Sequence, residues 1–346
     1  MDLPPCHKRC PRRRLLWWLL SGLAVLSVAS FLVTGGHEEL LSHSLPFFLA
    51  SRERSANDPI LPSSDAFLLL PPPDTCTPRP PFLLVLVTSA PSHTLQRQAV
   101  RETWGGVRWA AGYPVQTFFA LGLPREPSQQ AALQREAEQH GDIVQGRFTD
   151  TYANLTLKTL ALMGWATTYC TGATFIIKAD DDVFLNLPAL AQHLGTLTNA
   201  RGTYLGRIHW RVRPNRDPHS RHYVPASLYL PTIFPPYCSG TAYILSGDTA
   251  AALLGVAHHV PLVPVEDAFV GLCAHQAGIT PQHEAHMAGS AHFPPDPCCY
   301  REVLYSVHGV IPSKMLDMWH STGLCGTWQR TLGLLRCKTL AWLAAL

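Results

Sequence analysis

No two cysteines of this sequence are separated by only two residues, so the paired-thiolate spacing typical of a structural zinc site is missing. Basic charge is scarce where nucleic acid would need it. The formal net charge is +3, but Lys8, Arg9, Arg12, Arg13 and Arg14 against Asp2 place +4 within residues 1–14, leaving about −1 for everything beyond. A nucleic-acid partner is therefore not indicated. Sustained helical periodicity is absent from Thr34 to Pro81, a stretch with nine prolines that include Pro71-Pro72-Pro73 and Pro80-Pro81. It reads as a stem over 34–81. Asn154-Leu155-Thr156 is the single N-glycosylation sequon, making Asn154 the candidate glycan site.

What is present begins with an uncharged run of 19 residues, Leu15 to Val33. As a helix it would extend roughly 28 Å, enough for a thin bilayer. The basic residues of 1–14 would hold the N-terminus in the cytoplasm, and Trp17 and Trp18 suit the interface. The run is longer than the apolar segment of a cleaved signal peptide, so the expectation is a type II signal-anchor with the remainder lumenal. Eight of the ten cysteines follow the run and would mostly be paired in an oxidising compartment, in a connectivity the spacing does not reveal.

Beyond Phe82 the character changes to alternating strands and helices. Phe82 to Val87 is a buried-strand run, followed by a helix from Thr94 to Trp104, a strand from Val115 to Leu121, a helix from Ser128 to Gln139 and a short strand at Asp142-Ile143-Val144. A helix from Asn154 to Tyr169 leads into the strand Thr174-Phe175-Ile176-Ile177. This pattern predicts an α/β domain over 82–346 with a mainly parallel sheet covered on both faces. The strand at Ile177 delivers Lys178-Ala179-Asp180-Asp181-Asp182-Val183-Phe184 at its C-terminal end, where α/β sheets place ligands. Three adjacent carboxylates raise one another's pKa unless a cation joins them. Asp180 and Asp182, two apart, would share an oxygen-liking divalent metal in extended geometry. An acidic turn in solvent is the plainer alternative, and the apolar residues on both sides weigh against it.

Two later stretches carry further candidates. Arg207, Arg211, Arg213, Arg216 and Arg221 interleave with His209, His219, His222 and Trp210, either as a solvated loop or as a contact surface for an anionic partner. Phe234 to Tyr243 is a proline turn entering a strand, and Glu266-Asp267 opens a helix to about Ala277. The acidic pair either complements the helix dipole or supplies a base.

These blocks resemble the β-1,3-glycosyltransferases of glycosyltransferase family 31. The resemblance rests on Arg97 to Trp104, Phe148 to Thr159, Lys178 to Phe184, Phe234 to Tyr243 and Glu266 to Gly271, in that order. Within the family, Tyr204 to Val212, Pro297-Cys298-Cys299-Tyr300 and the tail from Leu335 to Leu343 are similar to the ganglioside-type branch. The resemblance implies a glycosyltransferase A type fold, a Rossmann-like nucleotide-sugar domain, and a Golgi membrane location. It implies an inverting, Mn²⁺-dependent transfer of galactose from UDP-galactose to the 3-hydroxyl of a terminal N-acetylgalactosamine. The acceptor would be a glycolipid of the GM2, GD2 or GA2 type, giving GM1, GD1b or GA1. Asp182 and Asp180, with His308, would hold the metal; one of 17 histidines serving a structural role is the alternative for His308. Arg97, Arg101, Lys178, Asp180 and Asp181 would contact the nucleotide, with an ion-pair role equally open for Arg101. Asp267 would be the general base and Glu266 its orienting partner. Trp210, Arg211, Arg213, Tyr237 and Gly240 are the acceptor-side candidates. Partners would be the UDP-sugar, a glycolipid, and other Golgi glycosyltransferases or a second copy. The competing readings are a sister N-acetylglucosaminyltransferase, a glycoprotein-directed enzyme, or a catalytically silent lumenal chaperone or lectin.

Overall fold

The computed structural model describes residues 11–33, 66–77, 79–321, 325–326 and 332–344. The cytoplasmic tail expected over 1–14 and the stem expected over 34–81 lie largely outside the described residues. Helix α1 covers Pro11–Val33, and its described side chains between Trp18 and Ser30 are exposed or half-exposed. Among the described residues no helix is long and apolar enough to cross a membrane.

The domain is a central sheet between helical layers. Its strands are β1 (Phe67–Leu69), β2 (Leu83–Thr88), β3 (Trp109–Ala110), β4 (Tyr113–Leu123), β5 (Ile143–Thr149) and β6 (Phe175–Asp180), then β8 (Tyr204–His209), β9 (Tyr237–Ser246) and β10 (Gln282–His283). Their order is β1-β5-β4-β2-β6-β9-β8-β10, with β3 on β4. A separate ribbon pairs β7 (Phe184–Leu185) with β11 (Ser306–Val307). All six residues of β2, Leu-Leu-Val-Leu-Val-Thr, are buried, as a central strand covered on both faces requires. Successive side chains alternate between layers. Leu83, Val85 and Val87 join Val100, Trp104, Phe119 and Ile177 on one face, while Leu84 and Leu86 join Phe118, Leu160, Trp165 and Tyr243 on the other. Each such buried aliphatic side chain contributes about 1.5–3 kcal/mol.

The helices are α2 (Thr94–Glu102), α3 (Pro127–His140), α4 (Leu155–Tyr169), α5 (Leu187–Gly195), α6 (Gly247–Val256), α7 (Glu266–Gln276), α8 (Pro312–His320) and α9 (Gly333–Ala344). From β2 the chain runs outward through β4 and β5, then crosses back to lay β6 on the opposite side of β2. Strand order therefore reverses between β2 and β6, and the crevice at their C-terminal ends is where such sheets bind ligands.

The mainly parallel sheet expected from the alternation holds for β5-β4-β2-β6 and again for β8 with β10, while β1 runs antiparallel to β5. Strand β9 runs antiparallel to both β6 and β8. Alternation of apolar runs reports strand existence and says nothing of direction, and the long excursion over 210–236 lets β9 enter reversed. The domain also starts earlier than Phe82. Strand β1 pairs with β5, and the Cys76–Cys170 disulfide ties the segment before Phe82 to the end of α4. Two further disulfides, Cys298–Cys325 and Cys299–Cys337, join the C-terminal segments. Cys238 and Cys273 are buried thiols. Six of the eight cysteines beyond the apolar run are thus paired.

Helix α7 packs on β9 through Gly271, where an added Cβ would lie 2.3 Å from the Cβ of Tyr237. Gly271→Ala is expected to lower unfolding free energy by about 1–3 kcal/mol through overpacking. A thermal melt unchanged from wild type would contradict this packing.

Candidate active site

The ends of β2 and β6 lie side by side, with Thr88 opposite Asp180. The Thr88 hydroxyl donates to Asp180 Oδ1 at 2.6 Å, and the Ser89 hydroxyl donates to Asp181 Oδ2 at 2.6 Å. His93 Nδ1 lies 2.8 Å from the same Asp181 oxygen, which turns this carboxylate inward. After Asp180 the chain leaves the strand in a turn closed by Val183 N–H to the Asp180 carbonyl, 3.2 Å. Asp180 and Asp182 therefore converge through a turn rather than through the extended alternation expected from their spacing. Val183 and Phe184 are buried and anchor the far side of that turn.

His308 arrives from the C-terminal part of the chain. The ribbon aligns Val307 with Phe184, and Val310 N–H donates to the Asp182 carbonyl at 2.8 Å. The imidazole Nε2 consequently lies 3.4 Å from Asp182 Oδ2. One donor atom from each of Asp180, Asp182 and His308 falls within 4.8 Å of the others, so the three could hold one metal ion. Two carboxylate oxygens and an imidazole suit a divalent first-row ion such as Mn²⁺. Burial raises the Asp182 pKa, the His308 field lowers it, and Asp180 and Asp181 raise it further, with a net upward shift. A cation there would relieve that repulsion.

On the other side of Asp180 stands Lys178. Its ammonium donates to Asp180 Oδ1 at 2.6 Å and to the Gly240 carbonyl, and lies 3.8 Å from Glu266 Oε2. Burial alone would lower its pKa, but Asp180, Glu266 and Asp267 outweigh burial and raise it. Glu266, at the start of α7, accepts from the Thr159 hydroxyl at 2.9 Å and the Tyr243 hydroxyl at 2.8 Å. Its pKa is raised, first by burial and then by Asp267, against the pull of Lys178. Asp267 Oδ2 accepts from Gly240 N–H at 2.9 Å and Oδ1 from Ala268 N–H at 2.9 Å. A Cβ on Gly240 would sit 3.1 Å from Asp267 Oδ2 and 3.2 Å from Glu266 Oε2, so glycine keeps this approach open. Strand β9, reversed against β6, is what brings Gly240 here.

Arg97 and Arg101, expected at the nucleotide, are both held in ion pairs, which for Arg101 is the alternative that the sequence left open. Arg97 is fully buried, its fork closed on Glu136 by two bonds of 2.7 Å, with further bonds to Ser89 Oγ and the Ala90 carbonyl. Arg101 meets Asp142 through Nε and Nη2 at 2.8 and 2.9 Å, reaches Glu136 at 2.8 Å, and stacks over Phe119. Both guanidinium groups serve an internal network that steadies the loop after β2. Lys158, which the sequence reading passed over, is also near. Its buried ammonium donates to the Ser89 carbonyl at 2.6 Å and pairs with Asp150 at 2.9 Å. Burial lowers its pKa despite Asp150. The Thr88-Ser89 pair closing an apolar strand was the available signal for this side of the crevice.

The acceptor-side candidates divide. Gly240 lies at the base, while Tyr237 is buried against Gly271 with its phenol pKa raised by burial. Trp210 is half-buried and its indole Nε1 has no hydrogen-bond partner among the described residues. Arg211 and Arg213 are exposed, and no described contact joins them to the carboxylates. Within the sequon, the half-exposed Asn154 donates through Nδ2 to the Thr149 carbonyl at 2.8 Å, and the buried Thr156 hydroxyl donates to the Val263 carbonyl at 2.8 Å.

Residues 95–285 match the family model for galactosyltransferase. Beta-1,3-galactosyltransferase 4 of Rattus norvegicus is 40% identical over 370 aligned residues, covering 96% of this chain and 98% of its own. Beta-1,3-galactosyltransferase 9 of Homo sapiens is 33% identical over 96% of this chain and 93% of its own. The acetylgalactosaminyl-O-glycosyl-glycoprotein beta-1,3-N-acetylglucosaminyltransferase of Homo sapiens is 40% identical over 70% of this chain and 67% of its own. Among solved structures, the WbbM bifunctional glycosyltransferase aligns with a TM-score of 0.37 and 8% identity over 75% of this chain and 52% of its own, too loosely to bear on the site.

The internal arginine network has a measurable signature. Arg97→Ala leaves Glu136 partly unpaired and is expected to cost about 3–5 kcal/mol of stability, read by urea unfolding. Intact stability with weakened nucleotide binding would return Arg97 to the crevice. Burial would raise the Glu136 pKa, but Arg97 and Arg101 pull it below its ordinary 4.5. Its stabilisation is therefore present above about pH 4.5 and lost as pH falls through the lower folded-state pKa. Glu136→Gln should flatten that acid limb, and an unchanged limb would contradict the assignment.

Proposed function

Because the chain belongs to the galactosyltransferase family, we propose that it transfers galactose from UDP-galactose, with inversion, in β-1,3 linkage to a terminal N-acetylgalactosamine. The acceptor in this reading is a glycolipid of the GM2, GD2 or GA2 type. The observation that carries it is the joining of two carboxylate sites by Lys178 and Gly240. Lys178 bonds Asp180 on the metal side, while Gly240 bonds both Lys178 and, through its N–H, Asp267. An acceptor hydroxyl beside Asp267 would thus face a donor diphosphate beside Asp180 and Asp182.

Asp267 acts as general base. Two backbone N–H groups fix its oxygens and still leave lone pairs free for the acceptor proton. The acceptor oxygen forms its bond to the anomeric carbon as the bond from that carbon to the diphosphate oxygen breaks, and the electron pair leaves with UDP. One such displacement inverts the centre. Glu266, gripped by Thr159 and Tyr243, orients the start of α7 and binds sugar hydroxyls. Asp180, Asp182 and His308 would hold Mn²⁺, which when bound neutralises the departing diphosphate. Lys178 keeps its charge and prevents Asp180 and Glu266 from repelling each other.

The similarity to the rat galactosyltransferase over nearly the full length supports galactose and the β-1,3 linkage for this chain. The equal identity to the human N-acetylglucosaminyltransferase favours a second reading, with the same mechanism and UDP-N-acetylglucosamine as donor. A silent lectin or chaperone would not need Asp180, Asp182, His308 and Asp267 together. The proposal extends to a Golgi enzyme anchored by residues 15–33 in type II orientation, supported by the basic N-terminus and by the three disulfides of an oxidising compartment.

Asp267→Asn is expected to lower kcat for galactose transfer by about 10²–10⁴-fold while UDP binding, read by calorimetry, stays at the wild-type level. Retained transfer would remove Asp267 from the base role.

A further inference from the structure

The basic excursion over 207–222 is not one surface. Arg216 is engaged inside it, donating to the carbonyls of Val224 and Tyr229 at 2.7 Å and of Pro231 at 2.9 Å. Arg221 is different. Its Nε donates to His222 Nε2 at 3.1 Å, and its guanidinium lies 5.2 Å over the ring of Tyr152. Since His222 Nε2 accepts, its proton is on Nδ1, which lies 2.9 Å from the Tyr152 hydroxyl. The three side chains form a closed triangle of contacts. Both Nη groups of Arg221 make no hydrogen bond among the described residues, no carboxylate there pairs with the exposed guanidinium, and its outer fork is open.

The chain places this triangle on the acceptor side. Tyr152 stands in the turn just before α4, whose Thr156 bonds the Val263 carbonyl and whose Thr159 bonds Glu266. On the partner side, the segment that carries Arg221 and His222 leads into β9, whose Gly240 holds Asp267. The phenol of Tyr152 has its pKa raised by burial, lowered by Arg221 and raised by Asp267, Asp180 and Glu266, as expected of a group at the edge of the acidic crevice.

We propose that the Tyr152–Arg221–His222 triangle is an acceptor-specificity site that receives a carboxylate on the acceptor glycan. The inference rests on the galactosyltransferase reading and names the residues that would hold the carboxylate of an acidic acceptor. An acidic sugar approaching Asp180, Asp182, Glu266 and Asp267 meets repulsion of like charge. A pre-positioned guanidinium fork offsets it with a bidentate, charge-assisted pair. The alternative anion is the donor diphosphate, which the KM for UDP-galactose distinguishes.

The test uses the full-length enzyme with UDP-galactose, comparing GM2 with the same glycolipid lacking its sialic acid, for wild type, Arg221→Gln, Arg221→Lys and Tyr152→Phe. Arg221→Gln should lose about tenfold or more of kcat/KM on GM2, the scale of a lost charged hydrogen bond, with transfer to the neutral acceptor within about twofold of wild type. Arg221→Lys should recover part of the loss, and Tyr152→Phe should show a smaller loss of the same selectivity. KM for UDP-galactose should not move. Equal loss on both acceptors overturns the inference as a structural effect, and a raised donor KM overturns it in favour of a diphosphate contact. Both outcomes leave the galactosyltransferase reading standing. Failure of the wild type to transfer galactose to either acceptor overturns that reading and this inference with it.

Discussion

A single buried ammonium holds the candidate site together. Lys178 projects from the C-terminal half of strand β6 into a space bounded by Asp180, Glu266 and the Gly240 carbonyl, and the crowd of acids around it is tolerable only because it stays charged. Without that charge, Asp180 and Glu266 would be partly buried like charges with little between them, at a cost of several kcal/mol. The pairing also has a geometric effect. It ties a strand to the facing strand β9, and thereby fixes the separation between the metal-ligating acids and the acid at the head of α7.

The sheet topology explains why these groups meet at all. Reversal of strand order between β2 and β6 opens the crevice, and Thr88 and Ser89 on one lip hold Asp180 and Asp181 on the other. The antiparallel entry of β9 then supplies Gly240, and the small ribbon of β7 with β11 supplies His308. Outside this ring of contacts, Arg97 and Arg101 bind Glu136 and Asp142 and hold the loop after β2 from behind.

Much of this was legible before the fold was known. Continuous apolar runs marked β2 and β6, a helical apolar period marked α4, and the acids after Ile177 followed from the end of a buried strand. His308 was found through resemblance, since the two-residue strand that positions it is far too short to register as periodicity. The anion that Arg97 and Arg101 meet was not legible, because a guanidinium beside a nucleotide-binding loop looks the same in sequence whether its anion is a phosphate or a distant glutamate. Glu136 sits on α3, and its reach back to α2 is a tertiary fact. The direction of β9 and the attachment of Phe67–Leu69 to β5 were likewise beyond composition and spacing.

In the proposed reaction, one displacement at this crevice moves galactose onto the 3-hydroxyl of N-acetylgalactosamine. The most direct measurement is the structure of the product, by NMR of the glycan formed when purified full-length enzyme is given Mn²⁺, UDP-galactose and UDP-N-acetylglucosamine in competition over a glycolipid ending in N-acetylgalactosamine. The expected product carries galactose, in β configuration, on carbon 3. An α linkage would contradict the single-displacement mechanism, and incorporation of N-acetylglucosamine alone would contradict the donor.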